Sequence, residues 1–216
     1  MPDARAAILG RLRSARSAAP PASDFSVVER KTWAPAARVE RLRAAMTAVH
    51  TEFLDVTTEG WPEEIRAFLA AQGAKTVALG TSPEARRLAE ACARAGAPRV
   101  LTYDKPVEEL KAALFDEADA GFTSVRSAIA DTGSLVLWPS PEEPRLLSLV
   151  PPLHVALLSA ATIRDTLLSL MREEGWAKGL PPNALLVSGP SKTADIEQTL
   201  AYGVHGPKRL VVAVAP

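Results

Sequence analysis

The sequence predicts an α/β protein, a three-layer α/β/α domain on a mixed, mostly parallel sheet, with helices added at the N-terminus. Three observations lead there. From about residue 61 onward, short apolar runs of strand length alternate with helical patterns, as strands covered on both faces require. Between Ser134 and Leu158 three strand-like runs follow one another without a helix, so part of the sheet is expected to be antiparallel. The chain has 216 residues, 47% hydrophobic and 23% charged, enough to bury one core without disulfide staples.

The elements follow in order. Residues 1–20 carry Arg5, Arg11, Arg13 and Arg16 against one acid, Asp3. Ala4, Ile8, Leu12 and Ala15 recur at helical spacing, which predicts an amphipathic helix packed on the domain or on a partner. The basic composition also fits a transit peptide, but no apolar core follows the charges as a secretory signal needs. Ala18–Ser23, with Pro20 and Pro21, reads as a linker. A second helix is expected from Pro35 to His50. The extension is placed at 1–50 and the α/β domain at 51–216.

Trp61-Pro62-Glu63-Glu64 opens a helix, with proline in the first turn and acids near the positive end of the dipole. Lys75–Gly80 is a strand, Ser82–Arg94 a helix closed by Gly96, Arg99–Tyr103 a strand and Pro106–Phe115 a helix. Asp119–Phe122 and Ser134–Trp138 are strands, and the proline-rich run 139–144 suits a hairpin-like return. Leu146–Val150 and His154–Leu158 are further strands. Thr162–Glu173 is a helix, with Thr162 and Asp165 spaced as a capping box. Ala184–Ser188 is a strand, Thr193–Tyr202 a helix stopped by Gly203, and Arg209–Val214 the last strand.

Composition excludes several classes. Lys+Arg and Asp+Glu both number 25, so the net charge is zero and carries no nucleic-acid footprint. No apolar run is long enough to cross a bilayer, and a cytoplasmic protein is expected. Cys92 is the only cysteine, which excludes disulfides and an all-cysteine metal or iron–sulfur site within the chain. No metal site is expected, because the three histidines and one cysteine show no ligand spacing.

The densest polar segment is Ser188-Gly189-Pro190-Ser191-Lys192-Thr193-Ala194-Asp195-Ile196-Glu197, between an expected strand and an expected helix. Ligands gather at carboxyl ends of strands in open α/β sheets. Free amides at a helix start, hydroxyls and a lysine suit a phosphate or carboxylate. Capping by Ser191 or Thr193 accounts for one hydroxyl only. Asp131, Thr132, Gly133 and Ser134 lead into a strand, where a plain turn explains Asp and Gly equally well. His154 heads an apolar strand, and His205 sits between Gly203 and Gly206.

Three ordered motifs carry a resemblance. The run Ser188–Glu197 continuing to Gly203-Val204-His205-Gly206-Pro207, the run Ala128–Leu135, and the block from Arg145 to His154 resemble the LUD domain family. Within it the match is to the lactate utilization protein C (LutC/YkgG) group. Residues 120–216 carry it strongly, and Asp131 stands where glutamate commonly precedes Thr-Gly. The resemblance implies a NagB/RpiA/CoA-transferase-like fold and a part in oxidising L-lactate to pyruvate beside partner subunits that hold the iron–sulfur clusters, with no cofactor in this chain. On that expectation Lys192 and His154 hold a small carboxylate or phosphate, with His154 or His205 as general base. Asp131 completes the candidate catalytic set. Thr132, Gly133, Ser134, Ser188, Gly189, Ser191, Lys192, Thr193, Asp195 and Glu197 complete the ligand set. Two alternatives stay open: a non-catalytic assembly or regulatory subunit docked through the N-terminal helix, and a phosphate-ester or CoA-thioester enzyme by fold analogy.

Overall fold

A computed structural model of the protein describes residues 4–15, 23–194, 200–202 and 205–216. The chain divides into two units, Met1–Arg30 and Lys31–Pro216. The first contains α1 (Ala4–Ser14) and the short α2 (Ser26–Glu29). No residue of α1 is buried, and Ile8 and Leu12 stay 59% and 63% exposed.

The second unit begins with α3 (Pro35–Thr47), β1 (Glu52–Asp55), α4 (Trp61–Ala71), β2 (Thr76–Leu79), α5 (Pro83–Cys92), β3 (Arg99–Thr102), α6 (Val107–Ala112) and β4 (Ala120–Ser124). It continues with β5 (Ser127–Ile129), β6 (Ser134–Leu137), β7 (Leu153–Ser159), β8 (Ile163–Arg164), α7 (Leu167–Glu173), β9 (Leu185–Val187), β10 (Lys192–Ala194), β11 (Leu200–Tyr202) and β12 (Arg209–Ala215). Among the described residues, no helix is long and apolar enough to cross a membrane.

Six strands form a parallel sheet in the order β1-β12-β7-β4-β2-β3. Such a sheet needs both faces covered. On one face, Trp61, Ile65 and Leu69 of α4 and Leu88 of α5 bury Val77, Leu79, Phe122, Val155 and Val211. Trp61 stacks on Phe122 at 5.7 Å between ring centroids. On the other face, Leu42 and Met46 of α3 join Leu135, Leu137 and Ile163 over Ala156, Leu158, Leu210 and Val212.

The expected α/β class with a mostly parallel central sheet holds. Antiparallel pairing lies outside the central sheet: in a second sheet, β8-β5-β6-β9, where β6 runs antiparallel to both β5 and β9, and in the β10–β11 pair. The outer face of the second sheet carries Ile129 and Val136 against Leu170 and Trp176. Helix α3, read from sequence as part of the 1–50 extension, packs within the second unit. Asp165 fixes its start, accepting from Trp33 N at 2.9 Å and from Arg38 Nε and Nη2 at 2.8 and 2.9 Å.

Four expectations fail in detail. Arg145–Ser148 is a 3-10 turn, not part of a strand, because Leu147 N bonds back to Pro144 O and Val150 N to Leu146 O, which buries Leu147. The 139–144 loop therefore returns into a turn rather than a hairpin strand. The helix expected from Thr162 begins at Leu167, with Thr166 and Ser169 forming the capping box, while Asp165 is committed to Arg38. In place of a helix over Thr193–Tyr202, β10 and β11 pair antiparallel, and residues 195–199 lie outside the described residues. The edge strand β1 was not anticipated; its Glu52 and Asp55 ends mask a two-residue apolar centre.

Deleting the buried Met46 side chain should cost about 2–5 kcal/mol, whereas Ile8→Ala on exposed α1 should stay within about 0.5 kcal/mol. Urea denaturation of the two variants measures both. Equal, small losses would place α3 outside the core.

Candidate functional site

The second sheet brings together residues that lie far apart in sequence. Leu135 pairs with Val187, so Ser134 and Ser188 meet just beyond the ladder. Their hydroxyls are 2.8 Å apart, and Thr132 Oγ1 is 2.9 Å from Ser134 Oγ. The result is a chain of three hydroxyls in which Ser134 is buried and Thr132 and Ser188 are exposed. Each hydroxyl both donates and accepts, so the chain is a ready binder for an acceptor-rich group.

Helix α3 supports this cluster from beneath. Gly133 has φ +62°, and a Cβ there would lie 2.5 Å from Ala45 Cβ. A Cβ on Gly189 would lie 2.9 Å from Val49 Cγ2. Gly133 thus lets its loop close on the helix, and Gly189 lets its loop close on Val49, just beyond the helix end. Packing accounts for them without any ligand.

Asp131 is engaged elsewhere. Its carboxylate takes Lys31 Nζ at 2.8 and 3.0 Å, and its amide donates to Asp165 O. Ser191 lies against the 205–207 turn: its amide donates to Pro207 O at 2.9 Å, and a Cβ on Gly206 would lie 3.0 Å from Ser191 Cβ. His205 is exposed beside that turn. The structure therefore joins Thr132, Ser134 and Ser188 at the end of the second sheet, flanked by Gly133 and Gly189, and sets Ser191, three residues further on, against the 205–207 turn. The side chains of Lys192 and Thr193, and residues Asp195 and Glu197 entirely, lie outside the described residues. The amides that were to flank an anion at a helix start belong instead to β10.

His154 stands apart from this cluster. It is fully buried in β7, and its Nε2 lies 2.8 Å from Thr123 Oγ1. Its Nδ1 has no hydrogen-bond partner. Burial pushes the imidazole down to about 4, so it is neutral at physiological pH. Cys92 is buried at the end of α5, and desolvation pushes its thiol up, away from the thiolate form a metal ligand needs. No cluster of three or more potential metal ligands occurs among the described residues.

A second polar constellation lies at the carboxyl ends of β2 and β4, and the sequence did not single it out. The Glu143 carboxylate accepts from Ser82 Oγ at 2.7 Å, Ser124 Oγ at 2.8 Å and Ser124 N at 3.0 Å. The only signals in the sequence were the Ser82-Pro83-Glu84 helix start and the acids in a proline-rich loop. Neither points to the other until the strand order is known.

Residues 39–214 match the LUD domain, and the chain belongs to that family. An uncharacterized protein of Neisseria meningitidis serogroup B is 40% identical over 183 residues, covering 82% of this chain and 78% of that protein. Lactate utilization protein C of a Geobacillus species is 27% identical over 192 residues, covering 82% of this chain and 77% of that one. A crystal structure of a DUF162 family protein from Deinococcus radiodurans superposes with a TM-score of 0.62 at 23% identity, covering 86% of this chain and all of that one; it shares the fold.

The buried imidazole gives a pH test. An unfolded histidine takes its proton near 6.5, the folded one only near 4. Stability should therefore fall as pH drops from 6.5 toward 4, by on the order of 3 kcal/mol from this group. Urea melts across that range should show His154→Gln losing this component. An unchanged slope would contradict a buried, neutral His154.

Proposed function

We propose that the protein serves lactate utilization in the cytoplasm, as a cluster-free subunit beside iron–sulfur partner subunits that oxidise L-lactate to pyruvate. The observation that carries this reading is the likeness, over 82% of the chain, to a protein named lactate utilization protein C, together with the LUD domain match. A single, buried cysteine supports placing the clusters in the partners, because cluster ligation needs several thiolates.

The chain's own part in this reading is to hold the small carboxylate. Ser188 and Ser134 supply hydroxyl donors, Lys192 supplies the charge, and His205 at the neighbouring turn acts on the 2-hydroxyl as general base. A lactate bound there presents a carboxylate and a hydroxyl within one short skeleton, which a hydroxyl chain beside a histidine is suited to read. Charge-assisted hydrogen bonds make the carboxylate the stronger anchor.

One observation favours a second reading. The exposed apolar residues Ile8, Leu9 and Leu12 on α1 suit a docking helix, which would make the chain an assembly subunit without a reaction of its own. Deleting residues 1–23 should then abolish co-purification with the iron–sulfur partners.

Calorimetric titration separates the two. Lactate or pyruvate should bind the chain, alone or with its partners, and Ser188→Ala should weaken binding roughly tenfold, as for the loss of one hydrogen bond to a charged group. No binding under either condition, with the complex intact, refutes the ligand-holding role and leaves the assembly role.

A further inference from the structure

From β2 the chain steps outward to β3, returns past β2 to β4, and continues through β7 to β12. The strand order therefore reverses between β2 and β4. Connections leave such a point in opposite directions, and a crevice opens beyond the carboxyl ends of the two strands. In this protein the loop 139–144 lies in that crevice. The Glu142 carbonyl accepts from Thr81 N at 2.7 Å. It comes so near Gly80 that a Cβ there would lie 1.9 Å from it, so only glycine admits the loop.

The loop delivers one side chain into the crevice. Ser82 Oγ, Ser124 Oγ and Ser124 N all donate to the Glu143 carboxylate. These donors are neutral, and they are what a free carboxylate would use. Space lies on both sides of Glu143. A narrow cavity is lined by Thr123, Ser124, Trp138, Arg145 and Ser148 together with Glu143. Across the loop a cavity of about 310 Å3 is lined by Thr81, Tyr103, Asp104, Lys105, Pro141 and Pro144.

We infer that the crevice between β2 and β4 is a binding site for a small free monocarboxylate, and that Glu143 is its internal competitor. Size supports this. From Cβ to the carboxyl carbon the glutamate side chain has three carbons, the skeleton of propionate. A three-carbon acid fits the volume that side chain fills and meets the same three donors. The neighbouring cavity can receive the displaced side chain, and Lys105 on its wall offers that carboxylate a cation. An internal competitor lowers apparent affinity by the fraction of molecules in which the site is open, so weakening Glu143 must tighten binding. Lactate and pyruvate are three-carbon acids too; only that identification rests on the proposed function, while the crevice itself does not.

Amide chemical shifts read during propionate titration of the full chain test this. Tens of millimolar propionate should move the Ser82 and Ser124 resonances of the wild type together with those of Ser140–Glu143. Glu143→Gln keeps the side chain's size and drops its charge, and should tighten propionate binding roughly tenfold. Adding Ser124→Ala to it should reverse that gain; Ser82→Ala serves equally if that double variant does not fold. Silence at Ser82 and Ser124 in both wild type and Glu143→Gln overturns the proposal. So does a gain that survives loss of the hydroxyl donors, or a response confined to Ser188–Ser191. Propionate binding at the crevice without lactate or pyruvate binding anywhere would retain the crevice and reject the lactate reading. Inorganic phosphate, run in parallel, should not displace Glu143; tighter binding of phosphate than of propionate would also overturn a carboxylate site.

Discussion

A six-stranded parallel sheet must be buried on both faces, and most of this structure follows from that. Backbone groups inside the sheet are satisfied by its ladders, while its side chains have to meet apolar partners above and below. Helices α4 and α5 meet that need on one face. On the other, α3 and the small second sheet do so jointly, which places β6 in the core with β9 at its edge. Polar residues are driven to the strand ends and to the outer sheet. Both candidate sites lie there, one at the end of β6 and β9, the other at the carboxyl ends of β2 and β4.

His154 shows how strict the burial is. It occupies a core position in β7, fully buried, with one ring nitrogen bonded to Thr123 and the other unpartnered. A neutral imidazole is tolerated there because it behaves as a mid-sized, weakly polar filler, and a charged one is not. Its place near the crevice residue Thr123 gives it a supporting position behind β4. The three hydroxyls and Asp131 are likewise held by ordinary packing and pairing. Gly133 closes on α3, and Asp131 is tied to Lys31.

The sequence made the interior strands legible because burial on both faces writes a continuous apolar run: Thr76–Leu79, Leu153–Ser159 and Arg209–Ala215 are all such runs. Helices with proline in the first turn and a nearby cap, such as α5 with Ser82, were legible for the same local reason. What failed was set by tertiary contacts. Leu146 to Val150 has strand composition, but lying between Pro144 and Pro151 it folds into a turn that buries Leu147. Asp165 has the spacing of a capping residue, but Arg38 claims it from 127 positions away. At the second-sheet site, Ser134 and Ser188 were both singled out, yet only strand pairing shows that they touch. Glu143 was unreadable as a site residue, because the crevice it enters exists only through the order of β2, β3 and β4.

On the crevice proposal, Glu143 holds the place of a small carboxylate. A crystal structure grown in propionate, beside one grown in chloride at equal ionic strength, tests it most directly. In propionate, a bound carboxylate should lie within hydrogen-bond distance of Ser124 N and Ser82 Oγ, with Glu143 swung out toward Lys105. Glu143 unmoved on Ser82 and Ser124 in both crystals would contradict it.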